Sequence, residues 1–257
     1  MTPLAASNAR LKDLRRLSRR SERSERRLFL ADGPKAVASA LEAGCLVEVL
    51  VRPGAEHLVP ALPDDVRLTL VEPRALEALS DSVSPAGVVA VGRLVDVELT
   101  AALTGRLVAL CAEVRDPGNA GTVIRCADAA GADGVVLAGD SVDLYNPKTL
   151  RASVGSAFHL PVAVERDAAA AVRAAQQAGL TVLATEADGD VDLFEADDLL
   201  AAPTAWLFGN EAHGLPAELA ALADHRVRIP IHGRAESLNL STAAALCLYA
   251  SARAQRA

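Results

Sequence analysis

This chain of 257 residues contains no long hydrophobic run. Its longest apolar stretches, such as residues 107–112 and 134–138, are far shorter than the roughly 20 residues that a membrane-spanning helix requires. The arginines near the N-terminus are not followed by an apolar segment, so the pattern of a secretory signal is also missing. Hydrophobic residues make up 51% of the chain, which is enough for a packed core. We therefore expect a folded, cytoplasmic protein that spans no membrane.

Cysteine and histidine are scarce and scattered. Four cysteines lie far apart, without the paired spacing of zinc ligands: Cys45, Cys111, Cys126 and Cys247. The five histidines show no clustering, and His159 and His225 lie next to apolar runs. We expect buried apolar roles for the cysteines, structural or surface roles for the histidines, and no metal site.

Basic residues are concentrated at the N-terminus, although the chain as a whole has a net charge of −7. Residues 1–27 carry nine Arg and Lys against three Asp and Glu, a net charge of +6, so the remaining residues carry −13. Such a basic arm suits a partner with a phosphate backbone, which the acidic remainder of the chain would repel. Leu11, Leu14 and Leu17 also indicate an amphipathic helix. A solvated helix and a nucleic-acid contact are compatible interpretations of this arm.

The order of predicted strands and helices indicates two α/β domains after the arm. Residues 28–98 form a small domain in which short β-rich runs alternate with helices. Residues 105–257 form a larger domain, with predicted strands at 107–114, 134–138, 162–164, 181–185, 205–208 and 227–231. Predicted helices lie between or after them, at 120–130, 147–157, 168–178, 216–223 and 239–254. This alternation favours a parallel sheet covered by helices on both faces, with ligands bound beyond the carboxyl ends of the strands.

Three segments that follow predicted strands combine small and polar side chains. Motif I (residues 116–125) contains Asn119, Gly121 and Arg125, motif II (residues 207–215) runs Leu-Phe-Gly-Asn-Glu-Ala-His-Gly-Leu, and motif III (residues 237–241) runs Ser-Leu-Asn-Leu-Ser. A tight turn, a strand-to-helix loop and a helix N-cap would account for much of these patterns. They would not explain Arg125 inside an apolar helix, or a carboxylate between the two glycines of motif II. The chain lacks a Gly-x-Gly-x-x-Gly motif, which argues against a nicotinamide cofactor.

Taken together, motifs I to III resemble the three motifs of the SpoU (TrmH-like) family of RNA ribose 2'-O-methyltransferases, in the same order and with matching internal spacing. The first domain resembles the small ribosomal-protein-like RNA-binding domain that precedes the catalytic domain in many members. The resemblance implies a Rossmann-like parallel-sheet catalytic domain with a C-terminal trefoil knot, of the SPOUT class. It also implies S-adenosylmethionine as the methyl donor, RNA as the substrate, no metal, and a homodimer in which the motif I arginine completes the partner's site. Topology rules alone would predict an open sheet without a knot.

The resemblance further implies which residues act. The family's polar catalytic set maps onto Asn119, Arg125, Glu211, Ser237 and Asn239. The cofactor is expected to be held by backbone and side chains at Thr185, Phe208, Gly209, Ile229, Ile231 and Leu238.

The chemistry of the implied reaction limits what Arg125 can do. A ribose hydroxyl is a poor nucleophile at neutral pH, while a sulfonium is already a good methyl donor, so activation and alignment of the attacking oxygen should dominate catalysis. A guanidinium stays protonated, with a pKa above about 12, which argues against Arg125 as a general base. Our hypothesis is that Arg125 orients the ribose or its phosphate and stabilises the developing alkoxide, while Asn119 and Ser237 fix its position.

Three functional interpretations stay open from the sequence. The first is an RNA 2'-O-methyltransferase, with 23S ribosomal RNA favoured over transfer RNA because of the additional N-terminal domain. The second is a protein that uses the same scaffold to bind RNA or assist ribosome assembly without methylation. The intact polar set argues against it, since binding alone gives no reason to keep all of these side chains. The third is a different nucleotide-binding α/β enzyme.

Overall fold

The computed structural model describes residues 2–256, which fold into eleven helices and eleven strands besides short 3-10 turns. The elements up to residue 93 are α1 (Ala9–Leu14), α2 (Arg20–Arg26), β1 (Leu28–Asp32), α3 (Pro34–Glu42), β2 (Leu46–Val51), β3 (Arg67–Leu70), α4 (Pro73–Glu77) and β4 (Val88–Arg93). The next elements are α5 (Leu99–Ala102), β5 (Leu107–Ala112), α6 (Pro117–Ala130), β6 (Gly134–Ala138), α7 (Pro147–Ser153), β7 (Val162–Glu165) and α8 (Ala168–Gln177). The last are β8 (Thr181–Thr185), β9 (Val191–Asp192), α9 (Asp197–Leu200), β10 (Thr204–Phe208), α10 (Ala217–Ala220), β11 (His225–Arg228) and α11 (Leu240–Ala254).

The chain divides into two compact units, and the first contains a small mixed sheet. Unit 1 consists of residues 2–95 together with residues 145–159. Its four strands lie in the order β1-β4-β2-β3, with β4 antiparallel to both neighbours and β3 parallel to β2. The alternation of short strands and helices expected for residues 28–98 is present, so the small α/β domain expected from the sequence is confirmed as a fold.

The basic N-terminal segment is an ordered part of unit 1. Leu11, Leu14 and Leu17 are at most 6% exposed and pack into one hydrophobic cluster with residues of β1, β2, α4 and β4. Arg23 is also buried, and its guanidinium donates to the carbonyl oxygens of Leu17 and Ser18, both at 2.8 Å. The segment therefore contributes core to unit 1, which the leucine spacing indicated and the charge pattern did not.

Residues 145–159 belong to unit 1, whereas the sequence grouped them with the larger domain. The ring of Phe29 on β1 lies 5.0 Å from that of Tyr145 and 5.6 Å from that of Phe158, measured between centroids. Phe29 is fully buried and Tyr145 is 3% exposed. Burial of these aromatic rings holds the segment that includes α7 against the first sheet. Its sequence, a helical pattern between two strands, does not reveal which core the helix joins.

Unit 2, residues 96–144 and 160–256, contains the parallel sheet expected from the alternation of strands and helices. Its seven strands lie in the order β7-β6-β5-β10-β8-β11-β9, and every pair is parallel. The predicted strand at 227–231 is displaced, because pairing with β8 begins at His225 and ends at Val227. The two-residue β9 and the four-residue α5 were not predicted, since such short elements show no periodicity.

Helices cover both faces of the unit 2 sheet. On one face α6 and α11 pack together and against β5 and β10, and on the other α5 and α8 pack against the strands. The indole nitrogen of Trp206 on β10 donates to the hydroxyl of Ser251 on α11 at 2.9 Å, and both residues are fully buried. This bond ties the C-terminal helix to the centre of the sheet. Among the described helices, none is long and apolar enough to cross a membrane.

The two units carry opposite net charge. Unit 1 contains sixteen Lys and Arg against twelve Asp and Glu, a net charge of +4. Unit 2 contains ten arginines and no lysine against twenty-one acidic residues, a net charge of −11. The positive charge of unit 1 lies in residues 1–27, which carry +6, whereas the other residues of the unit carry a net charge of −2.

Candidate functional site

Motifs I and II and the loop that ends in motif III follow neighbouring strands of the unit 2 sheet. Motif I follows β5, motif II begins within β10, and residues 229–239 connect β11 to α11 with motif III at their end. Because β5, β10, β8 and β11 are adjacent and parallel, their carboxyl ends lie along one edge of the sheet. The loop after β8 lies at the same edge. This is the position at which parallel α/β sheets bind ligands.

The carboxylate of Glu211 joins motif II to motif I. One of its oxygens accepts from the backbone N–H of Arg115 at 3.2 Å, and the other accepts from the N–H of Asp116 at 3.1 Å. The side-chain amide of Asn119 also donates to Glu211, at 3.3 Å. The two backbone amides lie directly before α6, where N–H groups have no partner within the helix and where a negative charge is favoured. A carboxylate at this place fixes the start of α6 against motif II.

Asn119 and Asn239 connect motif I to motif III. The amide of Asn239 donates to the side-chain oxygen of Asn119 at 3.0 Å. The oxygen of Asn239 accepts from the backbone N–H of Ser241 at 2.9 Å, which makes it the N-cap of α11. The N-cap interpretation of motif III is therefore correct for Asn239. The same side chain also extends the chain of hydrogen bonds that begins at Glu211.

The loop of motif II is held by its own polar groups. Asn210 donates from its amide to the carbonyl oxygen of Glu113 at 2.8 Å and accepts from the N–H groups of Ala212 and His213. A side chain on Gly209 would place its Cβ 2.4 Å from the carbonyl carbon of Gly214, closer than any tolerated contact. Gly209 is thus required by the return of its own loop, in addition to the contact with a cofactor that the family resemblance implies.

Glu113 supports the site, and the sequence did not identify it. Its backbone has a φ of +58°, in the left-handed region that glutamate seldom occupies. This conformation turns the carbonyl towards Asn210, and the carboxylate accepts from the N–H of Asp140 at 3.0 Å and from Arg115 at 3.2 Å. No sequence signal marks the position, because glycine or asparagine is the residue type that normally reveals such a conformation.

Two clefts open at this edge of unit 2, and the loop of motif II separates them. Cleft A has a volume of about 1090 Å³ and is lined by residues of the β5–α6 loop, motif II and Asn239. Cleft B has a volume of about 500 Å³ and is lined by residues of the loops after β8 and β11, by motif II and by the start of α11. Residues 210–214 line both clefts.

The structure gathers most of the predicted cofactor residues in cleft B. Thr185, Gly209, Ile229, Ile231 and Leu238 all line it. Phe208 does not, because its side chain is fully buried and its ring stacks on Trp206 with the centroids 6.3 Å apart. Any contribution of Phe208 to a ligand must come from its backbone or from the support that it gives to Gly209.

The predicted catalytic set is divided between three places. Asn119 and Asn239 line cleft A, Ser237 lines cleft B, and Glu211 lines both. Arg125 lies on the exposed side of α6 and lines neither cleft. Within residues 2–256, neither the side chain of Arg125 nor that of Ser237 has a hydrogen bond or ion pair, and Asn119 is engaged with Glu211 and Asn239. The expected fixing of Arg125 by Asn119 and Ser237 is therefore not seen within one chain.

Cleft B has the chemistry of a site for a partly apolar cation. Residues 229–238 form no hydrogen bond or ion pair with any other described part of the chain, so their backbone N–H and C=O groups are free to bind a ligand. Apolar side chains of Leu215, Val227 and Leu240 contribute to the wall. The lining also contains four carboxylates and no Lys or Arg. Such a surface favours a ligand with a flat or apolar portion, hydrogen-bonding edges and a positive charge.

The cysteine thiols of the protein are not positioned as ligands or nucleophiles. Burial raises the pKa of Cys45 to about 11 and that of Cys111 to about 12, and it also raises the pKa of Cys126 and Cys247. All four thiols therefore stay protonated at neutral pH, as expected for small apolar core residues. Over residues 2–256, no group of three or more His, Cys, Asp or Glu side chains is arranged to hold a metal ion.

Comparison with known families finds two matches that together span most of the chain. The SpoU rRNA Methylase family matches residues 106–249, which is more than half of the sequence. The MRM3-like substrate binding domain matches residues 8–90, a range that includes the basic helices of unit 1.

Similar proteins and structures match over nearly their full length. The chain is 35% identical to the 23S rRNA (guanosine(2553)-2'-O)-methyltransferase RlmP of Bacillus subtilis, covering 95% of this chain and 96% of that protein. It is 33% identical to the 23S rRNA (uridine(2479)-2'-O)-methyltransferase of Streptomyces viridochromogenes, covering 97% and 91%. A structure of the SpoU methyltransferase AviRb from S. viridochromogenes with AdoMet has a TM-score of 0.84 at 32% identity, covering 97% and 98%. An AdoMet-bound rRNA methyltransferase from Sinorhizobium meliloti has a TM-score of 0.83 at 34% identity, covering 98% and 97%.

The close contacts around Gly209 predict that a methyl group added at this position destabilises the protein. We expect Gly209→Ala to lower the free energy of unfolding by about 1–3 kcal/mol, because its Cβ would meet fixed backbone atoms of Gly214 and Leu215. Gly233→Ala is the matched control, since a Cβ there meets no atom within 4 Å and the backbone φ is not positive. Urea denaturation of both variants measures the difference. Equal stability of the two would show that the loop can open without cost.

Proposed function

This chain belongs to the SpoU rRNA methylase family, and we infer that it transfers a methyl group from S-adenosylmethionine to a ribose 2'-hydroxyl of RNA. The observation that carries the proposal is that clefts A and B share the wall formed by residues 210–214. A cofactor in cleft B and a nucleotide in cleft A would face each other across motif II. The attacking oxygen and the methyl carbon would meet at the edge of this shared wall, because methyl transfer requires the two atoms to be in direct contact.

The residues of cleft B suit S-adenosylmethionine. Its adenine needs an apolar wall and partners for its ring nitrogens, and Ile229, Ile231 and Leu238 offer both through their side chains and free backbone groups. Its sulfonium and ammonium carry positive charge, which suits the carboxylates of Glu186 and Glu236 in the lining. When bound, the cofactor supplies an electrophilic methyl group. The other requirements of the reaction fall to side chains of the protein.

The polar side chains of cleft A are suited to hold a ribose rather than to react with it. Glu211, Asn119 and Asn239 form one connected set of hydrogen bonds, so their positions are fixed before a ligand arrives. Fixed donors and acceptors reduce the entropic cost of aligning the attacking oxygen. We propose that this set orients the nucleotide and that Ser237, which lines cleft B, contacts the cofactor.

The substrate that we propose is 23S ribosomal RNA, bound first by unit 1. The family match of unit 1 is to a substrate binding domain, and its net charge of +4 contrasts with the −11 of unit 2. A polyanion is attracted to unit 1 and repelled by most of unit 2. We therefore propose that unit 1 binds the RNA backbone and that unit 2 carries out the transfer. A ribosomal substrate also places the proposed activity in the cytoplasm.

We further propose a homodimer in which Arg125 serves the partner's site, together with the trefoil knot that the family implies. Arg125 is exposed and lies outside both clefts of its own chain, which leaves it available to another subunit. On α11, which packs against α6, Leu246 is 38% and Tyr249 is 53% exposed. These side chains give the α6–α11 surface the apolar character typical of a subunit interface.

The direct test of the proposed function is transfer of labelled methyl from S-adenosylmethionine to unmodified ribosomal and transfer RNA, followed by nuclease mapping. We expect one ribose-methylated nucleotide in 23S ribosomal RNA. Labelling of transfer RNA alone would change the substrate but keep the reaction. Absence of transfer to either RNA, with the cofactor bound, would support a binding role instead.

The proposed role of Arg125 predicts that replacing it with lysine lowers the rate of methyl transfer. Arg125→Lys keeps the charge but loses the planar fork that aligns two oxygens, so we expect turnover to fall about tenfold or more. Affinity for S-adenosylmethionine, measured by calorimetry, should be unchanged because Arg125 does not line cleft B. Near-normal turnover of the variant would rule out the proposed alignment.

The basic surface of unit 1 predicts a change in salt dependence. Deleting residues 1–27 would also remove core leucines, so substitution is the cleaner test. Lys12, Arg19 and Arg20 are exposed, and their side chains have no hydrogen bond or ion pair to the described residues. A plot of log affinity for RNA against log salt concentration has a negative slope. Replacing all three residues by Gln should make that slope less steep by about 2.

A matched control for that change is available in unit 2. Arg253→Gln removes an exposed arginine that is paired with Asp197 and is not part of the proposed RNA surface. We expect it to leave the slope unaltered. If the triple variant also keeps the wild-type slope, its three side chains do not contact phosphate.

A further inference from the structure

The proposed reaction releases a proton, which a group near the reacting oxygen must accept. The 2'-hydroxyl must lose its proton as the oxygen attacks, and a fixed side chain that accepts it contributes about 10²–10⁴-fold in rate. Arg125 cannot accept a proton because a guanidinium stays charged. An acceptor must lie where the ribose and the methyl group meet, which under the proposed function is the wall between clefts A and B.

Three polar side chains belong to that wall, and two of them are already engaged. Asn210 uses its amide on Glu113 and its oxygen on two backbone N–H groups. Glu211 accepts from two backbone N–H groups and from Asn119, so both of its oxygens are already engaged. The third is His213, which lines both clefts and is exposed.

The ring of His213 has no partner within the described chain. Its backbone N–H donates to Asn210 at 3.2 Å, which fixes the main chain, but no hydrogen bond or ion pair to the imidazole is present among residues 2–256. A neutral imidazole has a lone pair on one ring nitrogen and can accept a proton there. A free imidazole at the shared wall therefore has both the position and the chemistry of a general base.

We propose that His213 is the general base of the methyl transfer, an inference that rests on the proposed function. The ribose O–H bond breaks and its proton moves to the neutral imidazole. The oxygen uses its electron pair to bond to the methyl carbon, and the carbon–sulfur bond breaks with its electrons returning to sulfur. The sulfonium becomes a neutral thioether, and the imidazolium then loses its proton to solvent.

Charged groups from every neighbouring loop face the two clefts around His213. They are Glu211 on its own loop, Glu113, Arg115 and Asp116 from the β5–α6 loop, Glu186 and Asp188 from the loop after β8, and Glu236 from the loop after β11. Arg115 is paired with Glu113 and Asp140. Carboxylates therefore outnumber cations in the linings of the two clefts. Glu236 has no partner in the described chain and is the competing acceptor, although it lines cleft B alone.

The test compares His213→Gln with the wild-type protein in single turnovers on in vitro-transcribed 23S ribosomal RNA, from about pH 5 to 8. We expect the wild-type rate to fall tenfold per pH unit at low pH, because a protonated imidazole cannot accept a proton. The variant should be at least about 100-fold slower at pH 7.5 and should lack that pH dependence. Calorimetry measures the affinity of the variant for S-adenosylmethionine separately, because His213 also lines cleft B, and single turnovers at saturating cofactor then report the transfer step alone.

The matched control is His225→Gln, which removes an exposed histidine that lines neither cleft and should keep both the rate and the pH dependence. Thermal unfolding reports whether His213→Gln folds, and His213→Asn replaces it if it does not. A His213 variant that retains the wild-type rate within threefold, or loss of the pH dependence in Glu236→Gln instead, would overturn the assignment. If the wild-type protein transfers no methyl group at all, the proposed function fails and this role fails with it.

Discussion

The site of this protein depends on one carboxylate that holds three separate loops together. Glu211 accepts from two backbone N–H groups at the start of α6 and from Asn119, and Asn119 accepts from Asn239 at the start of α11. A negative charge near the N-terminus of an exposed helix contributes about 0.3–1 kcal/mol. This contribution is small compared with the total free energy of folding, but it acts at the point where motifs I, II and III contact one another. The geometry of cleft A and of the wall that it shares with cleft B follows from this set of bonds.

The opposite charges of the two units fit the proposed division between RNA binding and methyl transfer. Unit 1 is positive and contains basic helices whose leucines are part of its core. Unit 2 is strongly negative, and the carboxylates that line cleft B suit a cationic cofactor. A phosphate backbone gains little from unit 2 as a whole, so only a nucleotide held by cleft A would enter it. This division is consistent with a large structured RNA as the substrate.

Much of this architecture could be predicted from the sequence because local patterns determine it. Apolar runs such as β5 and β6 predict buried strands. Motifs I to III can be identified from their residues and spacing alone, without knowledge of the sheet that brings them together. Long-range packing decided what could not be predicted. The segment that includes α7 joins unit 1 through the aromatic contacts of Phe29. Glu113 has a left-handed backbone conformation, which a glutamate in the sequence does not indicate. The six-residue spacing of Asn119 and Arg125 places them on different faces of α6, whereas the position of Ser237 depends on the course of a loop that no local pattern determines.

The measurement that tests the central claim most directly is the single-turnover rate of methyl transfer by Glu211→Gln. The amide has the same shape but only one neutral acceptor, and its NH₂ group would face a backbone N–H group. Hydrogen bonds to a charged group contribute about 1.5–3 kcal/mol, so we predict a rate about 10- to 100-fold lower than that of the wild type. Glu218→Gln, an exposed glutamate of α10 outside both clefts, should retain the wild-type rate. A Glu211→Gln protein that transfers methyl groups as fast as the wild type would show that the site is assembled without this carboxylate.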